Sequence, residues 1–210
     1  MTVRKAILLA AGFSAISFAQ QWEFGGLAGG GFLSTVNATN NLGSATAGFQ
    51  NGMAFGGYAS NNLYRHLTGE LRYTYLQSNL KLSSGGQTAT FSGNAHAIHY
   101  DLIVHTRSKS KTQLFAAVGG GMKIFRGTGK EAAFQPLSQF GFFTKTQTLK
   151  PMASVGAGVK FQIAPKVYLR TEFRDYITPF PKDVLTPPTG TKYGTLLHDF
   201  VPMVGLGFEM

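Results

Sequence analysis

The residues best suited to chemistry in this sequence are its five histidines and the carboxylates near them. His99 and Asp101 are two residues apart, so in a β-strand their side chains share one face, whereas His96 falls on the other. A metal site or an acid–base pair would need a third group from a neighbouring strand, such as Glu70 or Arg72. We therefore interpret these side chains as parts of a structural polar network and predict no metal site.

The sequence offers little support for other catalytic sites. A serine nucleophile needs a histidine base beside it and an acidic group that orients the base. Ser60 with His66 and Ser108 with His105 are the only nearby pairs. The glycine cluster at 119–121 is no phosphate loop, because neither a helix nor a Lys-Ser/Thr pair follows it. The sequence predicts no catalytic residue and no cofactor.

Composition excludes several classes of protein. Charged residues make up 13% of the chain, roughly half of the ~25% usual for soluble domains. The formal net charge is +10, but the basic residues are scattered, without the basic run typical of nucleic-acid binding. The chain has no cysteine, which excludes disulfides and thiolate metal sites.

The N-terminal residues have the pattern of a secretory signal peptide. Arg4 and Lys5 precede an apolar core over residues 6–13, and Ser17 and Ala19 supply the small residues of a cleavage site. We predict a signal peptide over residues 1–19 and one domain over residues 20–210.

Beyond residue 20, apolar residues alternate with small or polar ones, which predicts β-strands. In the clearest segment Leu71 and Tyr73 lie on one face, and Glu70 and Arg72 lie on the other. The register of the second and fifth segments stays open, because Phe and small residues occur on both of their faces. The eight candidate strands span residues of about 22–33, 52–60, 67–78, 94–105, 113–123, 152–161, 167–176 and 199–209.

The connections between these segments alternate in length. Those after the second, fourth and sixth segments are short, and the others are long and rich in Gly, Ser, Thr, Asn and Pro. This asymmetry is typical of a transmembrane barrel with both termini on the short-turn side. We predict an all-β fold, an eight-stranded antiparallel up-and-down transmembrane β-barrel that follows a cleaved signal peptide.

The two faces of the segments indicate which side meets lipid. One face carries large apolar and aromatic side chains, while the other is mostly Gly, Ala and Ser with charges of both signs. An Arg or Lys at the lipid midplane costs about 2–4 kcal/mol, so the charged face is predicted to line the lumen. The predicted lumenal network comprises Glu70, Arg72, His99, Asp101, Lys160, Arg170, Glu172 and Arg174.

The signal peptide, the eight segments and the terminal residues 203–210 (MVGLGFEM) resemble the outer-membrane β-barrel family of the OmpA transmembrane domain and OmpX. That resemblance implies a C-terminal assembly signal, read by the barrel assembly machinery, at Gly205, Phe208 and Met210. It also implies the bacterial outer membrane as the location, with both termini periplasmic.

The expected function is a non-enzymatic one, structural or surface-interacting through four long extracellular loops. The expected partners are outer-membrane lipid and lipopolysaccharide, with no nucleic acid, and the expected state is a monomer. The alternatives are a narrow pore for small solutes, an envelope lipid-modifying enzyme and a secreted soluble barrel. Neither of the Ser–His pairs above resembles the motif of a lipid A deacylase.

Overall fold

The computed structural model describes residues 21–106, 111–127, 135–144 and 146–210. The predicted signal peptide, residues 1–19, lies outside the described residues, and so does Ser108. Within the described part of the chain, no helix has the length and apolar character needed to cross a membrane.

The described residues form strands that are numbered in chain order. They are β1 (Trp22–Gly31), β2 (Thr35–Asn40), β3 (Gly43–Phe49), β4 (Gly52–Tyr64), β5 (Leu67–Gln77), β6 (Leu80–Ser84), β7 (Gln87–Phe91), β8 (Gly93–His105), β9 (Thr112–Gly127), β10 (Phe142–Phe143), β11 (Gln147–Ala164), β12 (Val167–Pro179), β13 (Leu185–Thr186), β14 (Lys192–Tyr193) and β15 (Leu196–Glu209).

Eight of these strands close into a barrel in the order β1-β15-β12-β11-β9-β8-β5-β4. Every neighbouring pair is antiparallel. The first and last strands meet along a closing seam, where Phe24 lies opposite Phe208. Closure gives each strand a partner on both sides, which a sheet in hydrocarbon requires. The eight strands match the eight predicted segments, so the predicted up-and-down barrel is confirmed.

The two ends of the barrel differ. At one end, residues 65–66 and 165–166 connect consecutive barrel strands, β8 ends and β9 begins, and the chain enters β1 and leaves β15. We call this the short-turn end. At the other end the connections are long and carry the remaining strands, which we call the cap (β2, β3, β6, β7, β10, β13 and β14).

The outward face of the barrel is apolar. On β5, Leu71 and Tyr73 are 55% and 44% exposed, while Glu70 and Arg72 beside them are 0% and 1% exposed. Large exposed apolar side chains of the other barrel strands include Phe24, Phe55, Ile98, Tyr100, Leu102, Leu114, Val118, Met122, Val155, Phe173, Val204, Leu206 and Phe208. The prediction that large apolar side chains face outward and charged side chains face the lumen is confirmed.

The structure fixes the two registers that the sequence left open. On β4, Phe55 points outward while Tyr58 and Ser60 are buried. On β9, Phe115 is buried and Val118 is exposed. Phenylalanine therefore occupies an outward position on one strand and an inward position on the other. Pattern alone does not fix the register of these strands, because an eight-stranded lumen admits large side chains wherever neighbouring positions are small.

The cap is a second β-structure on the long-connection end of the barrel. One sheet has the order β14-β2-β3-β6-β7, and β10 pairs with β13 in another. Its inner face packs on the barrel, as Phe49 of β3 stacks on Phe125 of β9 with ring centroids 5.2 Å apart. The buried apolar residues of the cap include Val36, Ala38, Ala45, Ala47, Leu80, Leu82, Phe143, Leu185 and Tyr193, and Phe140 and Phe180 of the adjoining connections belong to the same core.

These strands lie in segments that were predicted as loops from their Gly, Ser, Thr and Asn content. The segment of β2, residues 35–40 (TVNATN), alternates exposed and buried positions, with Val36 and Ala38 facing inward. Thr and Val favour strands, and small alanines fit a thin apolar layer. A segment with the composition of a loop therefore forms a sheet with one buried face and one exposed face.

Candidate functional site

The centre of the lumen holds charged side chains from two opposite strands. β5 contributes Glu70 and Arg72, and β12 contributes Arg170 and Glu172. These strands stand four places apart in the ring of eight, and both run from the short-turn end towards the cap. Residues spaced by two share a face, so each acid of one strand lies across the lumen from a base of the other.

These four side chains form a closed ring of charge-assisted hydrogen bonds. Arg170 Nη1 donates to Glu70 Oε2 at 2.6 Å, and Arg170 Nε donates to Glu172 Oε2 at 2.8 Å. Arg72 Nη2 donates to Glu70 Oε1 at 2.6 Å and to Glu172 Oε2 at 3.0 Å. All four side chains are fully buried. Hydrogen bonds of this charged kind are among the strongest in proteins.

Arg174, the next inward residue of β12, extends this network towards the cap. Its Nη1 donates to Asp101 Oδ2 at 2.6 Å, and its Nη2 donates to Glu70 Oε1 at 3.4 Å. Asp101 Oδ1 is hydrogen-bonded to His99 Nδ1 at 3.0 Å. His99 Nε2 lies 3.3 Å from Tyr176 Oη. The network thereby ties β8 to β12 across the lumen.

A smaller group lies between this network and the short-turn end. Lys160 Nζ donates to Glu23 Oε2 at 2.7 Å, and Tyr58 Oη donates to Glu23 Oε1 at 2.6 Å. The Arg170 guanidinium lies over the rings of Tyr58 and Phe115, with its central carbon 4.4 and 4.7 Å from their centroids. Such cation–π contacts are favourable where the cation is desolvated.

The charges of the lumen balance one another. The three arginines of the network face the carboxylates of Glu70, Glu172 and Asp101, and Lys160 faces Glu23. An unpaired buried charge costs several kcal/mol, so this pairing is what allows the lumen to be filled by charged residues. Arginine keeps its proton in proteins and each carboxylate already accepts hydrogen bonds. The arrangement is suited to filling the lumen and cross-linking the strands.

The structure places all eight residues of the predicted lumenal network on the inward face of the barrel. Seven of them join the arginine–carboxylate network, and Lys160 pairs with Glu23. Sequence reasoning missed a second buried ion pair between Lys123 of β9 and Asp199 of β15. Asp199 has the same strand parity as Gly205 in the last segment, which was a signal for its inward position, whereas Lys123 lies in the fifth segment, whose register the sequence left open.

The candidate nucleophile pair of Ser60 and His66 is not brought together. Ser60 is buried in the lumen wall, whereas His66 lies in the turn after β4, where its Nδ1 donates to the carbonyl oxygen of His105. His105 Nε2 is hydrogen-bonded to Thr68 Oγ1 at 3.1 Å. Within the described ranges, no group of three His, Asp or Glu side chains is arranged to hold a metal ion.

The barrel and its charged lumen agree with a family match of the sequence itself. Residues 6–208 fit the family described as outer membrane protein beta-barrel domain. The chain belongs to this family. Membership confirms the resemblance inferred from the sequence. It also places the protein in the bacterial outer membrane.

Several solved structures share the architecture of this outer-membrane β-barrel. Neisserial surface protein A is 12% identical with a TM-score of 0.52, covering 90% of this chain and 97% of its own. The attachment invasion locus protein Ail of Yersinia pestis is 10% identical with a TM-score of 0.45, covering 90% and 99%. The N-terminal β-barrel domain of Pseudomonas aeruginosa OprF is 14% identical with a TM-score of 0.43, covering 90% and 97%. At 12% identity the likeness to Neisserial surface protein A is one of fold alone. No curated protein matches the sequence.

The C-terminal residues of this outer-membrane β-barrel lie along the closing seam. Phe208 and Met210 are exposed on the outside of the barrel, at 53% and 72%. A Cβ added at Gly205 would overlap the carbonyl oxygen of Gly26 on β1. Gly205 therefore has a packing reason to be glycine, independent of any role in recognition.

An ion pair links barrel strand β11 to the connection between β12 and β13 at the cap end of the outer-membrane β-barrel. Lys150 Nζ and Thr148 Oγ1 donate to Asp183 Oδ2 at 3.0 and 2.8 Å. These two hydrogen bonds hold the pKa of Asp183 below its usual value. Deeper in the cap, Tyr193 Oη donates to the carbonyl oxygen of Phe140 at 2.8 Å, and burial raises the pKa of Tyr193.

Proposed function

We propose that the protein is a non-enzymatic outer-membrane barrel with a closed lumen, which displays its cap as a surface for interactions outside the cell. The observation that carries this proposal is the ring of Glu70, Arg72, Arg170 and Glu172, which spans the lumen from one wall to the other. Beyond it, the apolar core beneath the cap fills the upper lumen with residues such as Leu76.

The difference between the two faces of the cap supports the interaction role. Its inner face is apolar and packs on the barrel, while its outer face carries Lys81, Lys192 and a set of short hydroxyl and amide side chains. The members of this set are Asn37, Thr39, Ser44, Thr46, Ser83 and Thr88, which follow one another across β2, β3, β6 and β7. A face of this kind offers hydrogen bonds at fixed positions, and a rigid support reduces the entropy lost on binding.

We propose an orientation with the cap extracellular and both termini periplasmic. Its support is the difference between the two ends, because bacterial barrels have short periplasmic turns and longer extracellular connections. Closure leaves no free sheet edge within the membrane, which favours a monomer. Lipopolysaccharide is the proposed lipid partner. Gly205, Phe208 and Met210 are proposed as the signal that the barrel assembly machinery reads.

The non-enzymatic role is supported by the hydrogen bonds that the polar side chains of the lumen make with one another. His99 is held between Asp101 and Tyr176, and Glu70 accepts hydrogen bonds from arginines. A general base needs a free lone pair directed at its substrate. If lipid A extracted from overexpressing and deleted strains differs in acylation, this part of the proposal is wrong.

Planar-bilayer recordings of the purified full chain test the closed lumen. We expect no steady conductance, because the lumen is crossed by paired charges and topped by an apolar core. A steady open state would contradict the closed lumen and favour the alternative, a narrow pore for small solutes.

Antibody labelling of intact cells tests the orientation. An epitope inserted beside Leu42, in the β2–β3 turn, should be labelled without permeabilising the cells. The same epitope inserted after Lys166, in the β11–β12 turn, should be labelled only after permeabilisation. The reverse pattern would overturn the proposed orientation.

A further inference from the structure

The outward face of the barrel carries one basic side chain that stands apart from all others. Among the barrel strands in the described residues, Arg126 is the only lysine or arginine whose side chain points outward. It is exposed, and its neighbours Phe125 and Gly127 are buried. No carboxylate of the described residues forms an ion pair with it. Its Nε donates to Gln147 Oε1 at 3.1 Å, which fixes the guanidinium beside β11.

The position of Arg126 along β9 coincides with the end of the apolar surface. The outward residues from Leu114 to Ile124 are apolar or glycine, a run that matches the roughly 9–11 residues of a membrane-spanning strand. Arg126 is the next outward residue, towards the cap. A lipid-facing arginine costs about 2–4 kcal/mol at the midplane and ~0–1 near the interface. Arg126 therefore lies at the level of the lipid headgroups.

The neighbouring strands place polar groups around this arginine. Asn94 of β8 and Gln147 of β11 are its partners in register on either side, and Gln77 of β5 is the partner of Asn94. These four side chains form one polar row across four strands. Asn94 Oδ1 is buried and has no hydrogen-bond partner among the described residues.

Aromatic side chains lie directly below the polar row, on its membrane side. Tyr75 is paired in register with His96, and their rings meet edge to face with centroids 5.5 Å apart. Tyr73 Oη is hydrogen-bonded to His96 Nδ1 at 2.8 Å. Aromatic rings at this level are typical of the membrane interface. From the cap towards the membrane, the surface changes from the polar row to aromatic rings and then to apolar side chains. A glycolipid changes in the same order, from its polar headgroup to its acyl chains.

The outward-facing ionisable groups on the β12–β15 side of the barrel are partners of one another. His198 Nδ1 is hydrogen-bonded to Asp175 Oδ2 at 2.9 Å. On that side the acid already lies beside the histidine ring. Arg126 differs, since its charge faces outward without an acid from the described residues.

We propose that Arg126 and the polar row of Gln77, Asn94 and Gln147 form a binding site for the phosphate of an outer-leaflet glycolipid of the lipid A type. Arginine binds phosphate oxygens through two parallel N–H groups. The amides of the row donate to sugar hydroxyl and phosphate oxygens, and the acyl chains lie along Ile124 and Met122. The outer-leaflet position rests on the proposed orientation of the cap, whereas the chemistry of the site does not.

Native mass spectrometry of the full-length barrel in detergent tests the site, with lipid A carrying two phosphates as the probe. Wild type should retain the lipid about tenfold more strongly than Arg126→Gln, as expected for the loss of one charge-assisted contact. The same lipid stripped of its phosphates should be retained equally weakly by both proteins. Arg126 is exposed, so the variant is expected to fold, and heat-modifiable migration on a gel verifies this.

The matched control is Arg65→Gln, which removes an exposed arginine in the β4–β5 turn at the opposite end of the barrel. It should retain phosphorylated lipid A as wild type does. Equal retention of phosphorylated lipid A by wild type and Arg126→Gln overturns the proposal. Retention of phosphatidylglycerol by wild type as strong as that of lipid A also overturns it, because this would indicate general attraction to anionic lipid. Because the assay uses purified protein, a reversed orientation in cells would overturn the orientation and leave this result unchanged.

Discussion

Arg170 Nη1 donates a 2.6 Å hydrogen bond to Glu70 Oε2, which joins two strands on opposite sides of the barrel. The two residues are 100 positions apart in the sequence. Side chains from facing walls meet at the barrel axis, so the lumen at this level is filled by protein atoms. The same contact makes the stability of the barrel depend on charge balance, because both partners are fully buried.

Removing one charge of this pair should destabilise the barrel. In Glu70→Gln the three arginines around position 70 lose a carboxylate, and breaking a buried pair in this way costs about 3–5 kcal/mol. We expect a corresponding fall in the free energy of unfolding, measured by urea titration of the protein in detergent micelles.

The double variant Glu70→Gln with Arg170→Gln separates charge balance from packing. It removes one acid and one base, so the network stays neutral. We expect it to be more stable than Glu70→Gln alone, with a coupling energy of about 0.5–3 kcal/mol in the double-mutant cycle. Additive losses would show that the two side chains act independently.

The stack of Phe49 on Phe125 should hold the cap on the barrel. Phe125→Ala removes a side chain that is 1% exposed, a change that typically costs about 3–5 kcal/mol in a packed core. We expect faster proteolysis of the β2–β3 hairpin, while the barrel itself still resists SDS at room temperature. Leu42→Ala, at an exposed turn position, should leave proteolysis unchanged. A cap that stays protected in Phe125→Ala would contradict this role.

Two adjacent glycines of β9 should respond oppositely to substitution by alanine. A Cβ at Gly119 would overlap the carboxylate of Asp101 and the carbonyl oxygen of Tyr100, and crowding of this kind costs about 1–3 kcal/mol or more. At Gly120 the nearest atom is Met152 O, 3.5 Å away, so a methyl group fits. We expect Gly119→Ala to lower the temperature of the heat-induced gel shift and Gly120→Ala to behave as wild type.

Acid should loosen the connection between β12 and β13. The pKa of Asp183 is depressed by hydrogen bonds from Lys150 and Thr148, so its stabilising contribution is complete above the unfolded-state value of about 4. That contribution is lost as the pH falls through the lower pKa of the folded state. The hydrogen-exchange protection factors of residues 180–186, which correct for the intrinsic pH dependence of exchange, should therefore fall at strongly acidic pH. In Asp183→Asn these protection factors should already be lower at neutral pH and should not show this further fall in acid.

The sequence predicted the barrel well because strand parity is a local property. Alternation separated Glu70 and Arg72 from Leu71, and the cost of a charge in lipid predicted which face is inside; the structure has the same faces. Parity failed where both faces carried similar residues, as on β4, where Phe55 is outward and Tyr58 inward. Lys123 lies in the fifth segment, whose two faces carry similar residues, so parity did not predict its buried ion pair with Asp199.

The sequence alone determined the number of barrel strands, the inward and outward faces of six of them, and the presence of charges of both signs on the inner face. It did so because side chains alternate with a period of two and lipid tolerates few charges. Which acid meets which base was decided only by tertiary structure. Arg170 meets Glu70 because ring closure sets their strands opposite one another at the same height, a relationship that depends on all eight strands together. The folding of the long connections into a cap depends likewise on contacts between segments distant in sequence, such as Phe49 and Phe125.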